Sequence, residues 1–271
     1  MWHPARMTET RVAVTHEAGV VHVELAREEK RNGLDLAMFE ALIAAGDRLR
    51  TDRSVRAVVL SGRGKAFCAG LDWGAFLAMG AEAGGKLLAR TDASPANVAQ
   101  RACWIWQEID VPVIAAIRGA AMGGGLQLAL AADLRYVAPD AQLSVMEVRY
   151  GLIPDMSATK TLALLVRPDI ARDLVWSGRT VGADEAVSIG LATRKEEDPV
   201  AAALATAREI AKRSPHAIRS GKRLMRDTAP IDARAAFLLE TELQIALLGS
   251  PNQMEAVTAA MTKRDPSFSD V

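Results

Sequence analysis

Three polar side chains stand where proton chemistry is possible: Gln127, Glu147 and Asp155. Gln127 is the single polar side chain in the apolar run 120–132, one turn into the stretch AAMGGGLQLALAAD. Glu147 and Asp155 lie eight residues apart in EVRYGLIPD. A carboxylate can take a proton and return it, whereas a neutral carboxamide can only orient a partner by hydrogen bonding. Local sequence alone gives Glu147 a plainer reading, a solvated carboxylate at the end of a strand over 142–146. Asp155 divides evenly between proton transfer and N-capping of a helix that holds Thr161, Leu162 and Leu165.

Two glycine loops share one grammar with these residues. In SGRGKAFCAGLDWG a buried run, Val58-Val59-Leu60, leads into Ala69-Gly70-Leu71, and after the apolar strand 113–117 comes Gly123-Gly124-Gly125. Glycine permits a tight turn and close approach to main-chain N–H groups, which have no internal partner at a helix start. Each loop can therefore present a donor to an oxygen that gains negative charge, although the same glycines would also serve ordinary strand-to-helix turns. Lys65 is followed by Ala66, so this is no P-loop, and neither loop matches GxGxxG.

The elements that must position these loops alternate between periods of two and about 3.6. Val12, Val14, Val21, Val23 and Leu25 around Gly19 predict a hairpin, and Asp35 caps a helix carrying Leu36, Phe39, Leu42, Ile43, Gly46 and Leu49. A strand at 57–60, a helix at 95–109, a strand at 113–117, the glycine helix and strands at 134–138 and 142–146 continue an α/β pattern. Residues 80–97, small and polar, read as a mobile segment. Beyond 198 only helices are expected, which divides the chain into an α/β core (1–197) and a helical region (198–271).

Composition narrows the partners. The chain has 271 residues, half of them hydrophobic, and its 33 basic and 33 acidic residues leave no overall field to gather nucleic acid or anionic lipid. The longest apolar run is too short to span a bilayer, and the start has no apolar signal-like core. With Cys68 and Cys103 lacking metal-ligand spacing, a reducing, cytoplasmic setting is expected. His3, His16, His22 and His216 lie outside the glycine and carboxylate motifs, so a histidine base or a metal site is not expected. Cys68 has no evident histidine partner for a nucleophilic role.

Taken together, GKAFCAGLDWGAF, PVIAAIRGAAMGGGLQLALAAD, EVRYGLIPD and LAREEKRNGLD resemble, in order and spacing, the motifs of the enoyl-CoA hydratase/isomerase (crotonase) superfamily. The resemblance implies an α/β spiral of ββα units with a helical C-terminal region that covers the CoA site and assembles trimers or dimers of trimers. It implies an acyl-CoA thioester substrate with no separate cofactor, and a thioester oxygen held by the backbone N–H groups of Leu71 and Gly124. Glu147 matches the second glutamate of the hydratases, but Gln127 stands where their first glutamate is, so the two-carboxylate arrangement is broken. Asp155 matches the dienoyl-CoA isomerase branch in its spacing from Glu147. Asp72 matches an aspartate that fixes the oxyanion loop. By the same register Arg27, Lys30 and Arg31, backbone atoms of Ala66 and Cys68, and Lys263 of a neighbouring copy would meet CoA. Trp73, Phe76 and Leu77 would wall the acyl pocket or belong to the core. The activity expected is a double-bond shift with Glu147 as base. The alternatives are hydration of a 2-enoyl-CoA with Gln127 placing water, or an acyl-CoA-binding homologue with negligible turnover.

Overall fold

In a computed structural model, residues 11–80, 82–90 and 94–271 are described, apart from the side chain of Ala83. Val12–Glu17 (β1) and Val20–Leu25 (β2) form the expected antiparallel hairpin, with Ala18 and Gly19 at positive φ in its turn. Asp35 accepts a hydrogen bond from the Met38 N–H and so starts Leu36–Thr51 (α1), which leads to Ala57–Gly62 (β3). Three helices follow: Trp73–Ala78 (α2), Glu82–Leu88 (α3) and Val98–Glu108 (α4). The segment expected to be loose thus contains a helix, and Leu87 is buried against the core. An apolar Leu87-Leu88 pair is what the small, polar composition around it obscured.

Val113–Ile117 (β4), Ala120–Met122 (β5), Gly124–Leu130 (α5), Leu134–Val137 (β6) and Gln142–Ser144 (β7) come next. A 3-10 helix at Glu147–Tyr150 then precedes Ala158–Leu165 (α6), Pro168–Ser177 (α7), Val181–Gly182 (β8), Ala183–Ser188 (α8) and Arg194–Lys195 (β9). The chain finishes with Pro199–Ala211 (α9), Pro215–Thr228 (α10), Ala233–Leu247 (α11) and Pro251–Thr262 (α12).

Strands pair in the order β1-β2-β3-β4-β6-β9 in a large sheet and β5-β7-β8 in a small one. From β4 onward successive strand pairs send one strand to each sheet, which makes the spiral of ββα units. One face of the large sheet packs against α1 and α4 through Phe39, Leu42, Ile105 and Trp106. The helices approach closely because position 46 is glycine: a Cβ there would lie 2.4 Å from Ile105 Cγ1. The other face is covered by Ala203 and Ala207 of α9 against Val59, Ile114 and Tyr136. The helical region expected from 198 onward therefore begins as a layer of the core. Lys222 of α10 fastens it further, its buried ammonium donating to Asp133 (2.7 Å) and the Val111 carbonyl (3.0 Å).

Candidate active site

The two glycine loops are laced together by backbone pairing. Cys68 bridges the start of the glycine helix, donating to the Ala120 carbonyl and accepting from Met122 N–H, each at 3.0 Å. Leu34 bridges Leu71 in the same way, through Gly70 O (2.8 Å) and Asp72 N (3.0 Å). Gly70 has φ +85°, and a Cβ there would lie 2.6 Å from the Met122 carbonyl oxygen and 3.8 Å from the Gly124 nitrogen. A Cβ on Gly125 would meet the Cys68 carbonyl oxygen at 2.3 Å. Only glycine allows the loops to approach this closely. The N–H groups of Leu71 and Gly124 are left without an acceptor among the described residues, and Gly124 is the first residue of α5. Asp72 caps α2 by accepting from the Ala75 N–H at 3.0 Å.

Glu147 enters from the 3-10 helix, in which it is buried. Its Oε1 accepts a hydrogen bond from Gln127 Nε2 at 2.5 Å, while Oε2 is buried with no partner among the described residues. Burial pushes the Glu147 carboxyl above the usual glutamate range, with the Asp155 charge adding to the rise against the hydrogen bonds that oppose it. Asp155 is raised too, chiefly by burial. It does not cap α6: the N-cap is Ser157, in the left-handed region at φ 73° and without a side-chain cap bond. The kink at Ser157 starts the helix two residues later than a cap at Asp155 requires, and the Asp155 carboxyl is left on the wall of the same cavity as Glu147.

That cavity encloses about 320 Å³ and is bounded by the two glycine loops, Glu147, Asp155 and largely apolar side chains including Phe39, Leu87, Met122 and Met156. Trp73 and Phe76 line it, in an edge-on contact at 6.4 Å between ring centroids. Leu77 does not: it is 74% exposed, because α2 turns that position to the outside. Tyr150, which the sequence reading passed over, stacks at a tilt on Trp73 at 5.1 Å and joins the two walls. Its place one turn after Glu147 was the available signal. Gln127 is fully buried and does not line the cavity; its carboxamide donates to Glu147 Oε1.

The expected CoA contacts divide. Lys30 and Arg31 are exposed at the 3-10 helix Glu28–Lys30 and its cap. Arg27 is buried, its guanidinium held by Asp72 (2.7 Å), the Gly33 carbonyl (3.0 Å) and Asp35 (3.5 Å), so it braces the first glycine loop and offers no open cation. The Cys68 N–H and carbonyl are both paired with residues 120–122. Ala66 is buried, and its carbonyl accepts from the Asn32 carboxamide at 2.9 Å. Lys263 is exposed at the end of α12, at φ 54°. Burial pushes the Cys68 thiol up to about 12. His3 lies outside the described residues; His16, His22 and His216 do not line the cavity. Among the described residues no group of three or more His, Cys, Asp or Glu converges on a possible metal position, and no helix is long and apolar enough to cross a membrane.

Comparisons with known proteins agree with this architecture. The family model for enoyl-CoA hydratase/isomerase matches residues 15–271. The chain is 38% identical over 259 residues to the probable enoyl-CoA hydratase echA6 of Mycobacterium bovis, covering 95% of this chain and 98% of that protein. It is 31% identical over 260 residues to the mitochondrial Delta(3,5)-Delta(2,4)-dienoyl-CoA isomerase of Mus musculus, covering 91% of this chain and 77% of that protein. The crystal structure of an enoyl-CoA hydratase from Bacillus anthracis superimposes with a TM-score of 0.88 at 28% identity, covering 95% of this chain and 98% of that one.

Proposed function

The chain belongs to the enoyl-CoA hydratase/isomerase family, and within it we propose that this protein shifts a double bond in an enoyl- or dienoyl-CoA. The observation that carries the proposal is the Gln127–Glu147 pair: one Glu147 oxygen is held by a neutral amide, the other has no partner among the described residues, and the residue lines a largely apolar cavity together with Leu71 and Gly124. Glu147 removes a proton from a carbon made acidic by the thioester, and the C–H electrons move through the conjugated chain to the carbonyl oxygen. The N–H groups of Leu71 and Gly124 stabilise the resulting dienolate, a donor of this kind being worth about a hundred- to a thousandfold in rate. Collapse of the dienolate takes a proton at another carbon. Glu147 returns its own for a short shift; for a longer relocation Asp155, on the same wall, delivers one and is then recharged by the proton Glu147 took.

The exposed Lys30 and Arg31 are the proposed contacts for CoA phosphates, joined by Lys263 of a neighbouring copy in a homotrimer or dimer of trimers. Hydration of a 2-enoyl-CoA is the second reading, favoured by relatives named probable enoyl-CoA hydratase. It requires Glu147 to activate water without a carboxylate at position 127, where the amide oxygen is engaged by two backbone donors. The test is to incubate the protein with 3-enoyl-, 3,5-dienoyl- and 2-enoyl-CoA in deuterated water and follow product mass. Isomeric products, with deuterium wherever the transferred proton has exchanged, support the double-bond shift. A product heavier by one water, from 2-enoyl-CoA alone, overturns it in favour of hydration.

A further inference from the structure

We infer that Gln127 is a positioning residue that keeps Glu147 a lone base, by tying one of its oxygens to the loop that carries Asp155. The inference deepens the reading of Glu147 as the proton-transfer group, and only its kinetic arm depends on that reading. The orientation of the carboxamide is fixed by its neighbours. Two backbone N–H groups, those of Met156 (2.8 Å) and Ala158 (3.3 Å), point at one terminal atom of Gln127, which must be the oxygen. They converge because Ser157 between them is left-handed, making a small backbone nest that suits an acceptor. The nitrogen therefore faces Glu147 Oε1 and donates to it at 2.5 Å.

One side chain thus joins α5, the 3-10 helix of Glu147 and the loop of Asp155. That loop in turn packs on the oxyanion donor, since a Cβ on Gly124 would lie 2.7 Å from Met156 Sδ. Gln127 lies within one turn of Gly124 on the same helix and is wholly buried, so its hydrogen bonds are not traded with water.

The nest also says what a carboxylate at this position would do. One oxygen of Glu at 127 would take the nest, which favours negative charge, and the other would face Glu147 Oε1 at hydrogen-bond distance. Two carboxyl groups so close hold one proton between them. With the charge anchored at 127 by two N–H donors, the proton resides on Glu147 and removes the base. The other titratable groups around Glu147 are Asp155 and Tyr150 on the cavity wall and the Cys103 thiol of α4. None of these supplies a positive charge to offset the pair.

The test compares full-length wild type, Gln127→Glu and Gln127→Met. Protein labelled with ¹³C at the glutamate carboxyl is titrated by NMR, the Glu147 resonance being the one lost in Glu147→Gln, and kcat and KM are measured against pH on the substrate turned over. In Gln127→Glu the Glu147 midpoint is expected to rise by about one pH unit or more, and the acid limb of kcat/KM to move with it while KM holds. In Gln127→Met, kcat is expected to fall about a hundredfold with KM unchanged, the cost of a misplaced reacting group. Should Gln127→Met not fold because the nest is left empty, Gln127→Glu still fills it and decides the matter. An unmoved Glu147 midpoint in Gln127→Glu overturns the inference. A raised midpoint in a protein that isomerises no enoyl-CoA supports the role of Gln127 and overturns the reaction proposed above.

Discussion

The guanidinium of Arg27 meets the carboxylate of Asp72 at 2.7 Å, directly beneath the loop that presents the Leu71 N–H, and both side chains are largely buried. Asp72 has a second partner, the Ala75 N–H, and these bonds, the backbone one foremost, hold its carboxyl below the usual aspartate range. The ion pair thus clamps the start of α2 to the segment after β2. A positive charge expected to meet a phosphate is instead paired within the frame of the first glycine loop.

Removing one partner of a buried pair leaves the other charge unpaired, which costs about 3–5 kcal/mol. Arg27→Ala is accordingly expected to lower stability by about 3 kcal/mol, read by urea unfolding, and to reduce kcat more than it raises KM for acyl-CoA. A variant as stable as wild type with a raised KM would return Arg27 to the CoA site.

Lys30 gives the opposite signature. It is exposed and remote from the proton-transfer groups, so Lys30→Glu is expected to raise KM for acyl-CoA about tenfold with kcat nearly unchanged, the pattern of lost uniform binding. The effect should shrink at high salt, since an exposed charge is screened. An unaltered KM removes the residue from the site.

Gly70→Ala tests the oxyanion geometry without touching a side chain that could react. The added Cβ would meet the Met122 carbonyl at 2.6 Å in a backbone region that alanine adopts only under strain. The Leu71 and Gly124 donors must then separate, and kcat is expected to fall about a hundredfold. Gly85→Ala, outside the cavity lining, is the control: among the described residues nothing lies within 4 Å of a Cβ there, and turnover should persist. Equal losses in the two variants would remove Gly70 from the catalytic geometry.

Glu147→Gln separates chemistry from folding. Turnover should drop about a hundred- to ten-thousandfold, the usual worth of an acid–base group. Because burial raises this carboxyl in the folded protein, the native state binds more protons than the unfolded one between the ordinary glutamate value and the raised one. Stability contributed at Glu147 therefore falls as pH rises through that window, and wild-type activity rises over it as the base ionises. Glu147→Gln should flatten the stability slope and be no less stable at neutral pH, measured as Tm against pH. A variant that is both inactive and strongly destabilised would make Glu147 structural.

Much of this was legible in the residues themselves. The period-two runs of β1 and β2, the Asp35 cap, and the strand-glycine-helix grammar of both loops are set by local backbone chemistry, which acts within a few residues and leaves its mark in the sequence. Motif order and spacing carried the family and, through it, the register of Glu147. What only the tertiary structure decided are relations between distant segments. Arg27 could be a phosphate ligand or a brace until Asp72 was found beside it. Asp155 reads as a cap until the left-handed turn at Ser157 moves the helix start. Which end of Gln127 faces Glu147, twenty residues away, is fixed only by the two N–H groups of the Met156–Ala158 turn. The physical reason is the same in each case: a side chain's charge, hydrogen-bond direction and access to solvent depend on what the fold packs against it, and periodicity along the chain does not carry those partners.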